Sequence, residues 1–314
     1  RMLWTLVSLP LGLLSRPVHL CHGTANFELP PTRLCRLVST VHDLIPLHFP
    51  ELVSKKFYLL FRALIGRTIR TSDRVITDSE FSRRDILDRF PVPEEKVTVI
   101  PLAPHPRFRT VDDSQGDDTV RRRYGLPRRY ILFVGVFEPR KNVPLLVDAF
   151  VSFRRRFDAA GDFQLALVGG AGYRGEEIAE EIRGRELEPS VRLVGYVPDE
   201  DLPALYRQAD ILVVPSQYEG FGLPALEAMA CGTPVLAADR SSLPEVVGPS
   251  GRLFPPGDAE LLADEMADLL SSDETLAEMS VMGRERAGLF TWEKTASQTL
   301  RVYREVLDAA GRES

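Results

Sequence analysis

The sequence predicts an α/β protein made of two doubly wound units, and three observations carry that expectation. Short β-branched apolar runs alternate with segments of helical apolar spacing along most of the 314 residues, the pattern of parallel strands joined by crossover helices. Runs such as residues 211–214, ILVV, carry no charge, as strands covered on both faces require. Residues 101–116, PLAPHPRFRTVDDSQG, interrupt the alternation with prolines and an acidic tail, as an interdomain connection does.

In the first unit, residues 18–22 and 36–41 read as strands separated by a loop at 23–31. Residues 54–71 place Phe57, Leu60, Phe61, Leu64 and Ile65 on one side and basic residues on the other, which predicts a helix. Residues 74–77 form a strand, 79–90 a helix begun by Ser79, and 97–100 another strand. After the connection, strands are expected at residues 130–136, 163–168, 191–194, 211–214, 235–238 and 252–254. Helices are expected between them at 142–157, 176–186 and 199–208, and three more close the chain at 258–270, 273–289 and 292–310. The domain boundaries are accordingly an N-terminal domain over 1–110, a linker over 111–128, a second domain over 129–290, and a last helix over 291–314 that crosses back to the first domain. The opening run RMLWTLVSLPLGLLSRP is interrupted by Pro10, Gly12 and Ser15 and is too short to span a bilayer, so it is not read as a signal or anchor. The start at Arg1 and the small first unit lead to the expectation that this unit lacks its first strands.

A net charge of −6 with no long basic stripe argues against nucleic acid as the main partner. Cys21, Cys35 and Cys231 are odd in number, lie in apolar contexts and show no CxxC spacing. They predict buried free thiols in a reducing, cytoplasmic setting.

Chemistry concentrates in two places that a doubly wound sheet brings to one edge, outside the carboxyl ends of its strands. Residues 216–239, SQYEGFGLPALEAMACGTPVLAAD, read as a glycine loop, a short helix with Pro224 in its first turn, a stop at Gly232 and Pro234, and a strand. Glu227 lies on an otherwise apolar helix and Glu219 in the loop before it. An acid buried there unpaired costs several kcal/mol, and no basic residue is near in sequence, so a ligand is expected as the partner. The second place is GVFEPRKN, residues 135–142, where Arg140 and Lys141 precede a helix N-terminus. Two cations there suit a diphosphate, and Gly135 would let the backbone approach it. Taken singly, the cations could be a solvated loop pair and the acids favourable charges near a helix N-terminus. Together they describe a site for a nucleotide sugar.

The array SxxEGFGLPxLEAMAxGxPV at residues 216–235, GxxxPRKN at 135–142 and VGY at 194–196 resembles the retaining glycosyltransferases of family four, and the resemblance extends over nearly the whole chain. It implies the GT-B fold, two Rossmann-like domains facing a cleft. It implies that Glu227 holds the ribose hydroxyls of the donor and that Glu219 lies near the transferred sugar. Gly220 and the amides of Phe221, Gly222 and Leu223 would bind phosphate and sugar, Arg140 and Lys141 would neutralise the leaving diphosphate, and Tyr196 and Val197 would line the base pocket. VHDLIPLHFPE at residues 41–51 resembles the acceptor-side motif of mannosyltransferase-like members, which implies that His42 faces the donor sugar across the cleft and favours GDP-mannose, with UDP-glucose or a dTDP-sugar as the alternative. TDSEFSRRDI at residues 77–86 also matches, and Ser79 is given a positional role only. The family's N-terminal glycine-rich loop is not found.

Weaker signals are set aside. His19 and His22 are spaced HxxH on a strand and point to opposite faces. Asp199 and Asp201 read as a helix N-cap and not as metal ligands; residues 112–118 read as a solvated acidic cluster. LVGGAGYRG, residues 168–175, has no Lys-Ser or Lys-Thr after its glycines and is no phosphate loop. Neither a metal nor a redox cofactor is expected. The reading is a hexosyltransferase of polysaccharide biosynthesis, acting by front-face transfer on a glycan or lipid-linked acceptor. The alternative is a nucleotide-sugar-binding protein without turnover. Lys55, Lys56, Arg62, Arg67 and Arg70 fit a peripheral contact with the inner face of a membrane, although a solvated helix face is the preferred account.

Overall fold

The computed structural model describes residues 8–16, 18–27, 29–30, 33–109, 114–157, 161–172, 174–187 and 190–312. The first elements are α1 (Leu9–Ser15), β1 (Leu20–Gly23), β2 (Arg36–Thr40), α2 (Ile45–His48), α3 (Lys55–Thr71), β3 (Arg74–Thr77), α4 (Glu80–Arg89) and β4 (Val97–Val99). There follow α5 (Ser114–Arg123), β5 (Tyr130–Val134), α6 (Val143–Arg156), β6 (Gln164–Val168), α7 (Gly175–Gly184), β7 (Val191–Gly195), α8 (Leu202–Gln208) and β8 (Ile211–Val214). The chain ends with α9 (Leu223–Cys231), β9 (Val235–Ala238), α10 (Leu243–Val247), β10 (Arg252–Phe254), α11 (Ala259–Leu270), α12 (Asp273–Gly288) and α13 (Trp292–Arg312). It divides into two compact units, Arg1–Leu102 with Thr291–Ser314, and Ala103–Phe290.

In the first unit the described strands form one parallel sheet in the order β1-β2-β3-β4. Val75 and Ile76, adjacent on β3, face opposite sides, and each side has its own core. Val75 packs with Val41, Phe61, Ile65, Ile69 and Ile86 beneath α3 and α4. Ile76 packs with Val38, Ile100, and Val302 and Val306 of α13. The last helix therefore belongs to this unit, where Tyr303 also bonds the His22 ring, its hydroxyl 2.6 Å from Nδ1. Ser54 caps α3 by accepting from the Phe57 amide at 3.2 Å, and Ser79 caps α4 by accepting from the Ser82 amide at 3.0 Å. Such caps satisfy amides that the first turn leaves without partners.

The second unit has a parallel sheet in the order β10-β9-β8-β5-β6-β7. From β5 the chain steps outward through β6 to β7, returns to the other side of β5 as β8, and proceeds to β10. The strand order thus reverses between β5 and β8, which in such sheets marks the ligand crevice at the carboxyl ends. The loops after those two strands are tied together, since the Gln217 amide donates to the Arg140 carbonyl at 2.8 Å.

Several expectations are corrected. Residues 103–109 join the second unit, and most of the expected linker is helix α5. It is held by Asp117, which is buried and takes Nε and Nη2 of Arg207 at 2.6 and 2.5 Å. Asp117 is therefore not solvated; Asp112 and Asp113 lie outside the described residues. The carboxylate of Asp201 makes no cap bond and instead accepts from the Tyr124 hydroxyl at 2.6 Å and Arg123 at 2.8 Å. Residues 9–15 form α1, with Pro10 in its first turn. Gly169 and Gly172 after β6 serve packing: Gly169 has φ +144° and a Cβ there would lie 1.9 Å from the Gly135 carbonyl oxygen, and one at Gly172 would lie 2.5 Å from Val136 Cγ1. Phe137 then exchanges backbone bonds with Gly170 and Gly172 at 2.9 and 3.1 Å. Tyr173 of that segment lies outside the described residues.

Candidate active site

The crevice between the ends of β5 and β8 gathers three charged side chains. Lys141, on a single 3₁₀ turn at Pro139–Lys141, donates from Nζ to Glu219 Oε1 at 2.6 Å. Arg140 Nη1 donates to Glu219 Oε2 at 3.2 Å and to the Tyr218 carbonyl at 3.1 Å, while its Nε donates to Glu138 at 2.9 Å. Lys141 and Glu219 are each 7% exposed. Burial alone would push the Glu219 carboxyl up, but Lys141 and then Arg140 outweigh it and hold the acid below its ordinary value. The partner of this acid, expected from a ligand, is therefore protein, supplied from residues 78 and 79 positions away.

Gly135 faces the protein: a Cβ there would meet the Phe133 ring at 3.3 Å and the Lys141 stem at 3.7 Å. The Phe133 ring is the tighter of these two neighbours, so a side chain at this position would press on the core side of β5. The loop after β8 is braced from the carboxyl end of β9. Ser241 Oγ accepts from the Glu219 amide at 3.0 Å, and Ser242 Oγ donates to the Glu219 and Phe221 carbonyls at 2.9 and 2.8 Å. The Phe221 ring is buried against Phe290 with centroids 5.9 Å apart, and Gly222 enters α9 at φ +103°. The first intrahelical donor of α9 is Ala225, to the Gly222 carbonyl at 3.1 Å. The amides of Gly222 and Leu223 precede it, and the positive end of the helix dipole adds to them.

Glu227 sits one turn into α9 in a different environment. Its Oε2 accepts from the Tyr206 hydroxyl at 3.2 Å. Burial pushes its pKa up from 4.5 to about 7, with the Tyr206 bond opposing and the charge of Asp199 adding. Asp199 is also 3.4 Å from Arg107, and both belong to the surroundings of Glu227. That places the loop after β7 beside the helix after β8. On that loop Tyr196 is 75% exposed and Val197 is buried, so Tyr196 offers its ring and Val197 only its backbone.

In the first unit His42 follows β2. Its Nδ1 is 2.7 Å from Asp78 Oδ2, and its Nε2 is 3.0 Å from the Thr24 carbonyl. With Asp78 ionised both partners accept, which favours a proton on each nitrogen and hence the imidazolium. The bond to Asp78 raises the His42 pKa against the opposing effect of burial, while burial raises that of Asp78. With both nitrogens engaged, the ring can meet a further ligand only through its carbon edge or face. Ser79 is buried as a cap. The sequence reading missed Tyr206, Asp78, Ser241 and Ser242. Each is a polar residue near a strand end or in an apolar helix, the one local sign available. Among the described residues no group of three or more His, Cys, Asp or Glu is placed to hold a metal ion, and no described helix is long and apolar enough to cross a membrane.

Residues 117–286 match the family model of glycosyl transferases group 1. The chain belongs to this family. Residues 3–103 match a second model, glycosyltransferase family 4. Over 286 residues this glycosyltransferase is 32% identical to O-antigen chain mannosyltransferase B of Escherichia coli, covering 91% of this chain and 74% of that protein. It is 34% identical over 250 residues to MMP alpha-(1->4)-mannosyltransferase of Mycolicibacterium hassiacum, covering 77% of this chain but 56% of the relative. The structure is similar to sucrose-phosphate synthase from Thermosynechococcus elongatus, with a TM-score of 0.76 and 26% identity over 96% of this chain and 77% of that one. The fold of the glycosyltransferase is GT-B.

Proposed function

We propose that this glycosyltransferase moves a hexose, with mannose favoured, from a nucleotide diphosphate sugar to a glycan or lipid-linked acceptor, with retention of configuration and without a metal ion. The observation that carries the reading is the Lys141–Glu219–Arg140 cluster at the reversal of strand order. The two cations are held by protein contacts where an α/β sheet binds phosphates. They would meet the charge that develops on the departing diphosphate. Glu219 has both oxygens in ion pairs and a depressed pKa, which makes it a poor nucleophile. This favours front-face transfer: the acceptor oxygen bonds to the anomeric carbon on the side where the bond to phosphate breaks, and the acceptor proton passes to the leaving phosphate oxygen.

Glu227 would accept from the ribose hydroxyls, and Tyr196 would stack on the base. His42 would position the sugar from the acceptor-side domain. Mannose and GDP are favoured by the VHDLIP motif, and the similarity to two mannosyltransferases supports the sugar. Exposed Phe57 and Leu59 beside Lys55, Lys56 and Arg62 on α3 support a peripheral contact with an anionic cytoplasmic membrane face, where a lipid-linked acceptor resides.

The test is calorimetric titration with GDP, UDP and dTDP, followed by NMR of the anomeric product with and without a chelator. GDP should bind most tightly, Glu227→Ala should weaken it at least tenfold, and the new linkage should keep the donor's configuration. Unchanged affinity in Glu227→Ala would remove the ribose contact, and an inverted product would remove the mechanism.

A further inference from the structure

Two adjacent serines between β9 and α10 forgo the local stability that their positions offer. Ser242 is the N-cap residue of α10, where a serine ordinarily accepts from an amide of the first turn, yet its side chain makes no cap bond. Ser241 before it lies at φ +54°, in the left-handed region that a residue with a Cβ enters only at a cost in energy. Neither choice stabilises β9 or α10. Both hydroxyls are directed instead to the loop after β8, 21 to 23 positions earlier in the chain.

Glu219 is the residue that they hold. Its amide donates to Ser241 Oγ at 3.0 Å, and its carbonyl accepts from Ser242 Oγ at 2.9 Å. The backbone on both sides of its Cα is thereby fixed, while Lys141 and Arg140 hold the carboxylate at 2.6 and 3.2 Å. Ser242 is buried and has a single hydroxyl proton, which it shares with the Phe221 carbonyl at 2.8 Å. Drawing that carbonyl toward Ser242 also orients the next amide, because the two groups lie on opposite sides of one planar peptide. The Gly222 N–H is therefore turned away from Ser242 at the entry to α9, where the Leu223 amide and the positive end of the helix dipole lie beside it.

Left-handed strain in a residue other than glycine persists where its surroundings over-determine it, and such positions cluster at ligand sites. Backbone amides recognise an anion only when they point at it together. We infer, resting on the proposed donor site, that Ser241 and Ser242 are positioning residues: they set the path of the backbone from Glu219 to Gly222, so that the Glu219 carboxylate reaches the two cations and the Gly222 amide donates to the diphosphate. Neither serine touches the nucleotide sugar; each acts through the loop.

The experiment titrates the whole chain with GDP, UDP and dTDP by calorimetry and with the matching nucleosides by NMR. Ser242→Ala, which leaves both carbonyls without this donor, should weaken the diphosphate that the parent binds best by at least about tenfold. Affinity for the matching nucleoside should stay within about twofold, because Glu227 lies a turn further along α9. Ser241→Gly removes the hydroxyl and the left-handed strain together; it should weaken the same diphosphate without lowering the urea midpoint, a result that no folding defect produces. The Gly222 amide resonance should move when inorganic diphosphate is added to the parent, and far less in Ser242→Ala. Unchanged diphosphate affinity in Ser242→Ala, or a parallel loss of nucleoside and diphosphate affinity, overturns the role of the serines and leaves the donor site standing. A parent that binds none of the three diphosphates overturns the donor site itself, and the role of the serines with it.

Discussion

Replacing Glu227 with Gln should make the protein more stable at pH 8 and leave it nearly unchanged at pH 4.5. Burial raises the carboxyl from 4.5 to about 7 in the folded chain. Below pH 4.5 the group is protonated in both states and contributes nothing. Between 4.5 and 7 the unfolded chain has released this proton while the folded chain retains it, so stability falls as pH rises. Above 7 the penalty is constant, and a difference of 7 less 4.5 at 1.36 kcal/mol per unit gives ~3 kcal/mol. Glutamine keeps an acceptor for the Tyr206 hydroxyl and never ionises. Urea unfolding of both proteins at several pH values isolates the residue, because every other titrating group cancels in the difference. A difference that does not vary with pH would refute the reasoning. Binding gives a second reading: ribose hydroxyls favour the ionised acid, so at pH 6 nucleotide binding should release close to one proton in the parent and none in the variant. Calorimetry in buffers of different ionisation enthalpy measures this.

Two further outcomes follow from the ion pairs. Lys141→Met should cost about 3–5 kcal/mol, the usual result of leaving one partner of a buried pair, and the double substitution with Glu219→Gln should recover much of it in a double-mutant cycle; additive effects would deny the coupling. The depressed Glu219 pKa contributes stability above 4.5 that is lost as pH falls through its folded value, and Glu219→Gln should lack this acid loss. His42, raised above 6.5 by Asp78, contributes stability that is complete below 6.5 and lost as pH rises through its folded value. Nitrogen NMR should show the His42 ring titrating above 6.5 and at a lower pH in Asp78→Asn; an unmoved titration would deny the pairing.

Much of the architecture was legible because its signals are local. Charge-free β-branched runs marked the strands, and Ser79 was visible as a cap, whose side chain accepts from the amide three residues on. Helix α5 was not legible. It has a single large apolar residue, Val120, and owes its place to Asp117 meeting Arg207 at a separation of 90 residues. The site divides in the same way. Motifs located the two sheet-edge loops and named Arg140, Lys141, Glu219 and Glu227. No local rule could reveal that the cations and Glu219 satisfy each other, because that pairing arises only when β5 and β8 become neighbours, or that Tyr206 bonds Glu227, because that needs α8 and α9 packed together.

The consequence of that adjacency is electrostatic. Glu219 and Glu227 belong to one loop-and-helix segment, yet their surroundings drive them in opposite directions: cations hold the first ionised, and burial holds the second near neutrality. Such divergence separates roles. Glu219 fixes Lys141, while Glu138 and the Tyr218 carbonyl help fix the guanidinium of Arg140. A diphosphate arriving at this edge would meet charges already positioned, without a cost of reorganising them. Glu227 is poised near pH 7 and would gain its charge fully only when hydroxyl donors reached it, so the proposed ribose contact would select for the nucleotide at the moment of binding. Under the proposed function, one segment would thus supply a charged brace for Arg140 and Lys141 and a titratable acceptor for the nucleoside. Exchanging the two acids' environments would forfeit both roles, even with every motif residue retained.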